Sequence, residues 1–332
     1  MITNRRLRIG VSGAGHIAQA HIAAFRLHPQ ICEVVSVCDV DIDRAQSTAA
    51  RYGIERYHAE YNEMLGSETL DCVVVCTPTY LHCSQTIAAL RQGASVLCEK
   101  PMAMTVDEAM RMEQAATDAG RVLYIGFNHR FYDKFTKAKE VLTTVDHGRL
   151  TSMVAAIGHG GWQNHDGTWF TQQALSGGGA FMTCGIHLID MLLWYGFKIS
   201  SVSGMMRRNY LTGDCEDDGL ALLNFKDGGI GSLHASYAWR HPYAQHLRMN
   251  FERLTMDIRD DDIIITREGQ NEAERLECAD ADSFQSQATA FLAAVQGECP
   301  PFVGPQAGID ALRIVLAAYA SNLSAARLTT VA

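Results

Sequence analysis

The chain has 332 residues, of which 47 % are apolar and 20 % charged, and a formal net charge of −9. That composition is ordinary for a soluble globular protein of about two domains at ~150 residues each. The acidic balance, with no long basic run, argues against nucleic acid or an anionic membrane as the main partner, and no apolar run approaches the roughly 18 residues of a membrane span.

The apolar stretch at residues 7–11 is too short for a secretory core, so a cytoplasmic protein is expected. Ten cysteines lie mostly in apolar segments and none forms Cys-x-x-Cys. Buried thiols are expected, with no disulfide framework and no metal site.

Residues 7–11 alternate and predict a strand that runs into Gly13-Ala14-Gly15-His16-Ile17-Ala18 and then into a helical apolar pattern. This is strand, GxGxxA turn, helix. Gly13 allows the tight turn, Gly15 lets the backbone approach a pyrophosphate, and Ala18 lets helix and strand pack closely. The helix start, at His16 and Ile17, offers free N–H groups to phosphates. Residues 33–38 read as a second strand, which Asp39 ends. A carboxylate there accepts both ribose hydroxyls of NAD and repels the extra phosphate of NADP, so NAD is favoured. Asp39 as the N-cap of the next helix is a compatible second reading.

The alternation continues with a helix at 41–52, a small helix around Tyr61 and Leu65, and a buried strand at 71–76 that Thr77-Pro78-Thr79 breaks. A helix at 82–91, a strand at 95–98, a helix at 106–119 and a strand at 122–126 follow. Strands alternating with helices predict a doubly wound parallel sheet. Right-handed connections bring the glycine turn, Thr77-Pro78 and Glu99-Lys100 to one edge, the edge where ligands bind. The strand at 95–98 meets Glu99-Lys100-Pro101 directly. That charged pair reads either as a ligand contact or as a surface salt bridge.

The pattern then changes. A strand carries Met153, Ala155 and Ile157, and a glycine- and histidine-rich loop at 158–167 holds Trp162. Trp162 and Trp169 either stack on a substrate or pack down. Gly177-Gly178-Gly179-Ala180 precedes an apolar helix at 181–195, on which His187 and Asp190 share a face. The glycines allow another backbone or a ligand to come close. Strands follow at 202–209, 218–225, 229–238, 245–251, 255–258 and 263–266, which predicts a largely antiparallel sheet. The turn at 251–254 lacks glycine, and helices at 283–296 and 305–326 finish the chain. The expected division is a dinucleotide-binding domain at 1–125 and an α+β domain at 126–332.

The chain resembles the glucose-fructose oxidoreductase / inositol dehydrogenase / MocA (Gfo/Idh/MocA) family of NAD(P)-dependent oxidoreductases. The residues that carry the resemblance are Gly10 to Ala18, Cys38-Asp39, Cys76-Thr77-Pro78 with His82, Glu99-Lys100-Pro101, Gly126-Phe127-Asn128-His129-Arg130-Phe131, and the run from Gly177 to Asp190. It implies an α/β chain with an N-terminal Rossmann domain and a C-terminal α+β domain built on a large, mostly antiparallel sheet. It implies hydride transfer between nicotinamide and a secondary alcohol or ketone of a sugar, cyclitol or related polyol. Thr77, Pro78, His82, Glu99 and Lys100 join Gly13, Gly15, His16, Ile17 and Asp39 as expected cofactor contacts. Lys100 is expected to bind the reacting oxygen and His187 to exchange its proton, with Glu99 or Asp190 orienting them. Asn128, Arg130 and Trp162 are expected to hold the other hydroxyls.

One departure stands out. The family usually has an acid four residues before this histidine, and here the position is Thr183. A threonine hydroxyl can hydrogen-bond but cannot hold the imidazolium charge. Either Asp190 covers part of that task, or Lys100 and His187 suffice, or the reaction differs from a plain alcohol oxidation. The resemblance also implies a homodimer or homotetramer through the C-terminal sheet. Two rivals stay open: an NAD-recycling enzyme that uses transient oxidation for elimination or epimerisation, and a non-catalytic dinucleotide-binding sensor.

Overall fold

The computed structural model describes residues 5–160, 166–240 and 242–323. Trp162, and the end of the last expected helix beyond Leu323, lie outside the described residues. The chain forms two compact units, one from Met1–Asn128 with Asp282–Ile309, the other from His129–Ala281 with Asp310–Ala332. It passes between them three times, where the expectation above has one passage near residue 126.

The first unit holds a six-stranded sheet. Its strands are β1 (Leu7–Ser12), β2 (Cys32–Cys38), β3 (Arg56–His58), β4 (Cys72–Val75), β5 (Ser95–Cys98) and β6 (Leu123–Ile125), in the order β3-β2-β1-β4-β5-β6. Every neighbouring pair is parallel. The central strands are apolar on both faces because helices cover both: Val73, Val74, Val75, Val96 and Leu97 are fully buried. Those helices are α1 (His16–Arg26), α2 (Ile42–Tyr52), α3 (Tyr61–Ser67), α4 (His82–Arg91) and α5 (Val106–Ala119). On α1, Ala18, His21, Ile22 and Phe25 form the buried stripe. The strand order is that of dinucleotide-binding sheets, whose ligands lie beyond the carboxyl ends of the strands.

The second unit opens with α6 (Asp133–Thr144) and the long strand β7 (Leu150–Gly158). A π-helical turn at Phe181–Gly185 leads into α7 (Ile186–Tyr195). Strands β8 (Ile199–Arg207), β9 (Asp218–Phe225), β10 (Ile230–Ser236), β11 (Ala244–Phe251), β12 (Leu254–Ile258), β13 (Asp262–Arg267) and β14 (Glu274–Glu277) complete an eight-stranded sheet ordered β14-β13-β12-β11-β7-β10-β9-β8. Its pairs are antiparallel except β7 with β10. Ala155 sits between Leu233 and Leu247 in register, and these three buried residues make the inner face. The turn without glycine closes as a hairpin all the same, with Asn250 opposite Thr255.

The chain then returns. Helix α8 (Ser283–Val295) belongs to the first unit, where Phe291 stands edge-on to Phe25 at 6.0 Å and to Tyr124 at 5.9 Å. The final helix is α9 (Pro305–Leu323). Among the described residues no helix is long and apolar enough to cross a membrane.

Candidate active site

In the first unit, β2, β1, β4 and β5 lie side by side and parallel, so the residues that follow them line one edge. These residues are Asp39, Gly13, Thr77 and Glu99-Lys100. Gly13 has φ +90°, and a Cβ on it would lie 2.7 Å from the Cys76 carbonyl oxygen, so only glycine fits. Gly15 is different. It is the N-cap of α1 without a side-chain cap, and a Cβ on it would meet nothing within 4 Å. His16 and Ile17 open the helix at the exposed surface. The first turn of α1 therefore presents uncapped N–H groups to open space.

The Asp39 carboxylate accepts the Ala14 N–H at 2.8 Å and the Asp41 N–H at 3.0 Å. It is thereby aimed at the glycine turn. Helix α2 is capped by Asp41, whose side chain accepts the Arg44 N–H, so Asp39 does not serve as that cap. Arg44 reaches both acids, Asp39 at 3.5 Å and Asp41 at 3.0 Å.

Thr77 donates its hydroxyl to the Gln85 side chain at 3.0 Å, and Pro78 precedes a short helical turn. His82 is fully enclosed, and its ring nitrogens lie 2.8 Å from the carbonyl oxygens of Thr77 and Pro101. It ties the two loops together and has no ring nitrogen left for a cofactor. Glu99 is likewise buried. One carboxylate oxygen meets His21 Nε2 at 2.8 Å and the other accepts the Lys100 N–H at 3.1 Å. Burial pushes the Glu99 carboxyl up, but the bond from His21 and the charge of Lys100 outweigh it and hold the group below the ordinary carboxylate range. Asn128 donates its side-chain N–H to the Ser283 hydroxyl at 3.0 Å.

In the second unit, each glycine of the triple has its own cause: Gly177 has φ +82°, a Cβ on Gly178 would run into the Tyr319 hydroxyl, and Gly179 faces Glu216. A Cβ on Gly179 would overlap the Glu216 carbonyl, and the buried Glu216 carboxylate accepts the N–H groups of Gly179 and Phe181 at 2.9 Å each. The close approach is that of backbone and carboxylate, which together cap the helical segment leading to His187. Thr183 donates to the Gly179 carbonyl at 2.9 Å and touches the Tyr237 hydroxyl. Its only proton is thus turned to the backbone.

His187 is 5 % exposed, and its ring stacks on His129 with centroids 3.5 Å apart and planes 18° from parallel. His129 in turn is held by the Tyr243 hydroxyl at 3.1 Å and the Gln245 amide at 3.0 Å. Asp190, one helical step on, is fully buried and pairs at two points with Arg130. The Arg130 fork is committed to a carboxylate and its guanidinium lies over the Trp194 ring at 5.7 Å.

Comparison with known proteins bears on both units. Residues 7–127 match the family described as "Oxidoreductase family, NAD-binding Rossmann fold", and residues 135–256 match the GFO/IDH/MocA C-terminal domain. D-glucoside 3-dehydrogenase of Escherichia coli K12 is 31 % identical over 257 residues, which cover 71 % of this chain and 72 % of that enzyme. The chain belongs to the Gfo/Idh/MocA family. Within the family, myo-inositol 2-dehydrogenase of Thermotoga maritima is 26 % identical over 96 % of both chains. The fold matches that of WlbA dehydrogenase from Bordetella pertussis, solved with NADH and UDP-GlcNAcA, with a TM-score of 0.88, 24 % identity, and 98 % and 97 % of the two chains covered.

As a Gfo/Idh/MocA member the chain is an NAD(P)-dependent oxidoreductase that acts on CH–OH groups. The first unit fits a dinucleotide on its own geometry: the open space over Gly15, the uncapped start of α1 and the fixed Asp39 carboxylate are the three features it needs. The residues suited to hold it are Gly13, Gly15, His16, Ile17, Asp39 and Thr77. His21, His129 and Glu216 did not figure among the expected site residues. Of these, His21 carried a signal: a histidine on the apolar stripe of α1.

Proposed function

We propose that the chain oxidises a secondary alcohol of a polyhydroxylated ring, a sugar or cyclitol, with NAD preferred over NADP. The observation that carries this reading is the row formed by Asp39, the glycine turn and Lys100 at the carboxyl ends of adjacent parallel strands. The substrates in the names of the glucoside and inositol dehydrogenases support the substrate class.

Bound to the first unit, the dinucleotide supplies the nicotinamide that takes up or returns a hydride. The chain must handle the hydroxyl proton that leaves as the carbonyl forms. In this reading Lys100 binds the reacting oxygen and His187 exchanges its proton. Glu99 holds the Lys100 backbone through one oxygen, while the His129 stack sets the His187 ring plane. Asp190, paired with Arg130, keeps α7 in place. Thr183, turned to Gly179 and Tyr237, leaves Lys100 and His187 to act without a carboxylate at that position.

The other face of the eight-stranded sheet supports self-association. Val154, Ser232 and Leu222 form one row across β7, β10 and β9, and Val154, Leu222 and the nearby Ile230 are 50 %, 58 % and 60 % exposed. An apolar row of this kind suits an isologous contact with a second copy, which molar mass in solution tests. All ten cysteines are free thiols, which fits a reducing compartment such as the cytoplasm.

The deciding experiment is Lys100→Ala, assayed with a panel of sugars and cyclitols by absorbance of the reduced cofactor. Turnover should fall by about 100-fold or more while dinucleotide binding, followed by protein fluorescence, persists. Full turnover at saturating cofactor and substrate would sink the assignment of Lys100. Substrate conversion with no net reduced cofactor would move the reading to elimination or epimerisation.

A further inference from the structure

His21 lies in the middle of α1 with no exposed surface, yet it is the partner of a residue far away in sequence. Its Nε2 meets Glu99 Oε1 at 2.8 Å, and Glu99 Oε2 accepts the backbone N–H of Lys100 at 3.1 Å. One carboxylate therefore bridges the glycine helix and the backbone of Lys100. The surroundings are shaped for it. A Cβ on Gly126 would lie 2.7 Å from Glu99 Oε1, so a glycine must follow β6 for the carboxylate to sit there. Phe284 of α8 stands edge-on to the His21 ring at 5.1 Å and 88°. An ionised carboxylate has only acceptors, so the Nε2 proton belongs to His21 and is donated to Glu99. Glu99 is held in that ionised form.

We propose that His21 is a positioning residue for catalysis: acting through Glu99, it fixes the Lys100 backbone relative to α1, the helix whose N-terminus faces the dinucleotide phosphates. A bond to a buried charge is shorter and stronger than a neutral one, so it can hold a loop where surface contacts cannot. The proposal rests on the reading of Lys100 as the residue that meets the reacting oxygen.

Three variants test it. His21→Phe keeps the ring volume and removes the donor. His21→Gln keeps an N–H at a similar reach. Glu99→Gln keeps the shape of the acid and removes its charge. For each, kcat and KM, dinucleotide Kd by fluorescence, and the rate of Lys100 modification by pyridoxal phosphate, read by mass spectrometry, are measured. His21→Phe and Glu99→Gln should lower kcat by about 10- to 100-fold, the scale of a small misplacement at a reacting centre, with dinucleotide Kd unchanged and the Lys100 labelling rate altered. His21→Gln should restore most of kcat. Parental kcat and labelling in His21→Phe would overturn the proposal, as would an equal loss of dinucleotide affinity in all three variants. If His21→Phe does not fold, Glu99→Gln decides alone by the same readouts. Labelling separates this inference from the Lys100 assignment, because it reports the coupling even if Lys100→Ala retains turnover.

Discussion

Arg130 and Asp190 are joined by a two-point ion pair shielded from solvent, Nε to Oδ2 at 2.9 Å and Nη2 to Oδ1 at 2.6 Å. Arg130 lies at the start of the second unit, next to its first residue His129, and Asp190 lies on α7, so the contact fastens the helix that carries His187. Breaking a buried pair leaves one charge alone in a poor medium, which costs about 3–5 kcal/mol, whereas replacing both partners with apolar groups is often close to neutral. Arg130→Met and Asp190→Leu should each lose about that much stability in urea unfolding, and the double variant should recover most of it. If Arg130→Met instead keeps its stability and raises the substrate KM, the arginine is a substrate contact after all.

Asp39 sets a prediction for cofactor choice. Its carboxylate is fixed by two backbone N–H groups and has Arg44 close by. Removing the carboxylate deletes charge-assisted bonds worth about 1.5–3 kcal/mol, or about 10- to 100-fold. Asp39→Ser should lower kcat/KM with NAD by that factor and raise it with NADP, since the extra phosphate then meets Arg44, still paired with Asp41, without the Asp39 charge beside it. Steady-state kinetics with both cofactors reads the ratio, and an unchanged ratio would show that the acid does not read the ribose.

Glu99 sets a prediction for acid stability. Burial alone would raise its pKa, but His21 and Lys100 bring it below the ordinary glutamate value of 4.5. Between the folded value and 4.5 the unfolded chain binds the extra proton, so stability falls as pH falls. The contribution of Glu99 is therefore complete above that ordinary value and is lost as pH drops through the folded one. Unfolding midpoints measured from neutral pH into acid should fall less steeply for Glu99→Gln than for the parent chain. Equal slopes would mean that Glu99 has the same pKa in both states.

Much of the fold was legible because it repeats. Apolar strands alternating with amphipathic helices gave the parallel sheet, and short strands with tight turns gave the antiparallel one. What escaped was short and polar. Strand β3 is three residues, Arg56 to His58, at the sheet edge, and β14 is Glu274–Glu277, charged throughout but for Leu276. Edge strands need no alternation because little of them is buried. At the site, Asp39, Lys100 and His187 were visible as polar residues where apolar patterns end or are interrupted. Their partners were not, since Glu99 with His21 and Arg130 with Asp190 are long-range pairs that no local period encodes. Glycines misled in one respect: the run at Gly177 to Gly179 read equally as a ligand cradle, and Tyr319 at Gly178 and Glu216 at Gly179 occupy that space.

The late return of Asp282–Ile309 to the first unit has a consequence for synthesis. Phe25 and Tyr124 wait for Phe291, and the Ile125 N–H waits for the Val303 carbonyl, 3.0 Å away in the finished protein. Roughly 150 residues are translated in between, which at ~5–20 residues per second takes on the order of ten seconds. Through that interval the nascent dinucleotide-binding half leaves the ribosome with an apolar flank uncovered. It can reach its final packing only after most of the second unit has been made, so chaperone capture during synthesis should centre on the flank that α8 later covers.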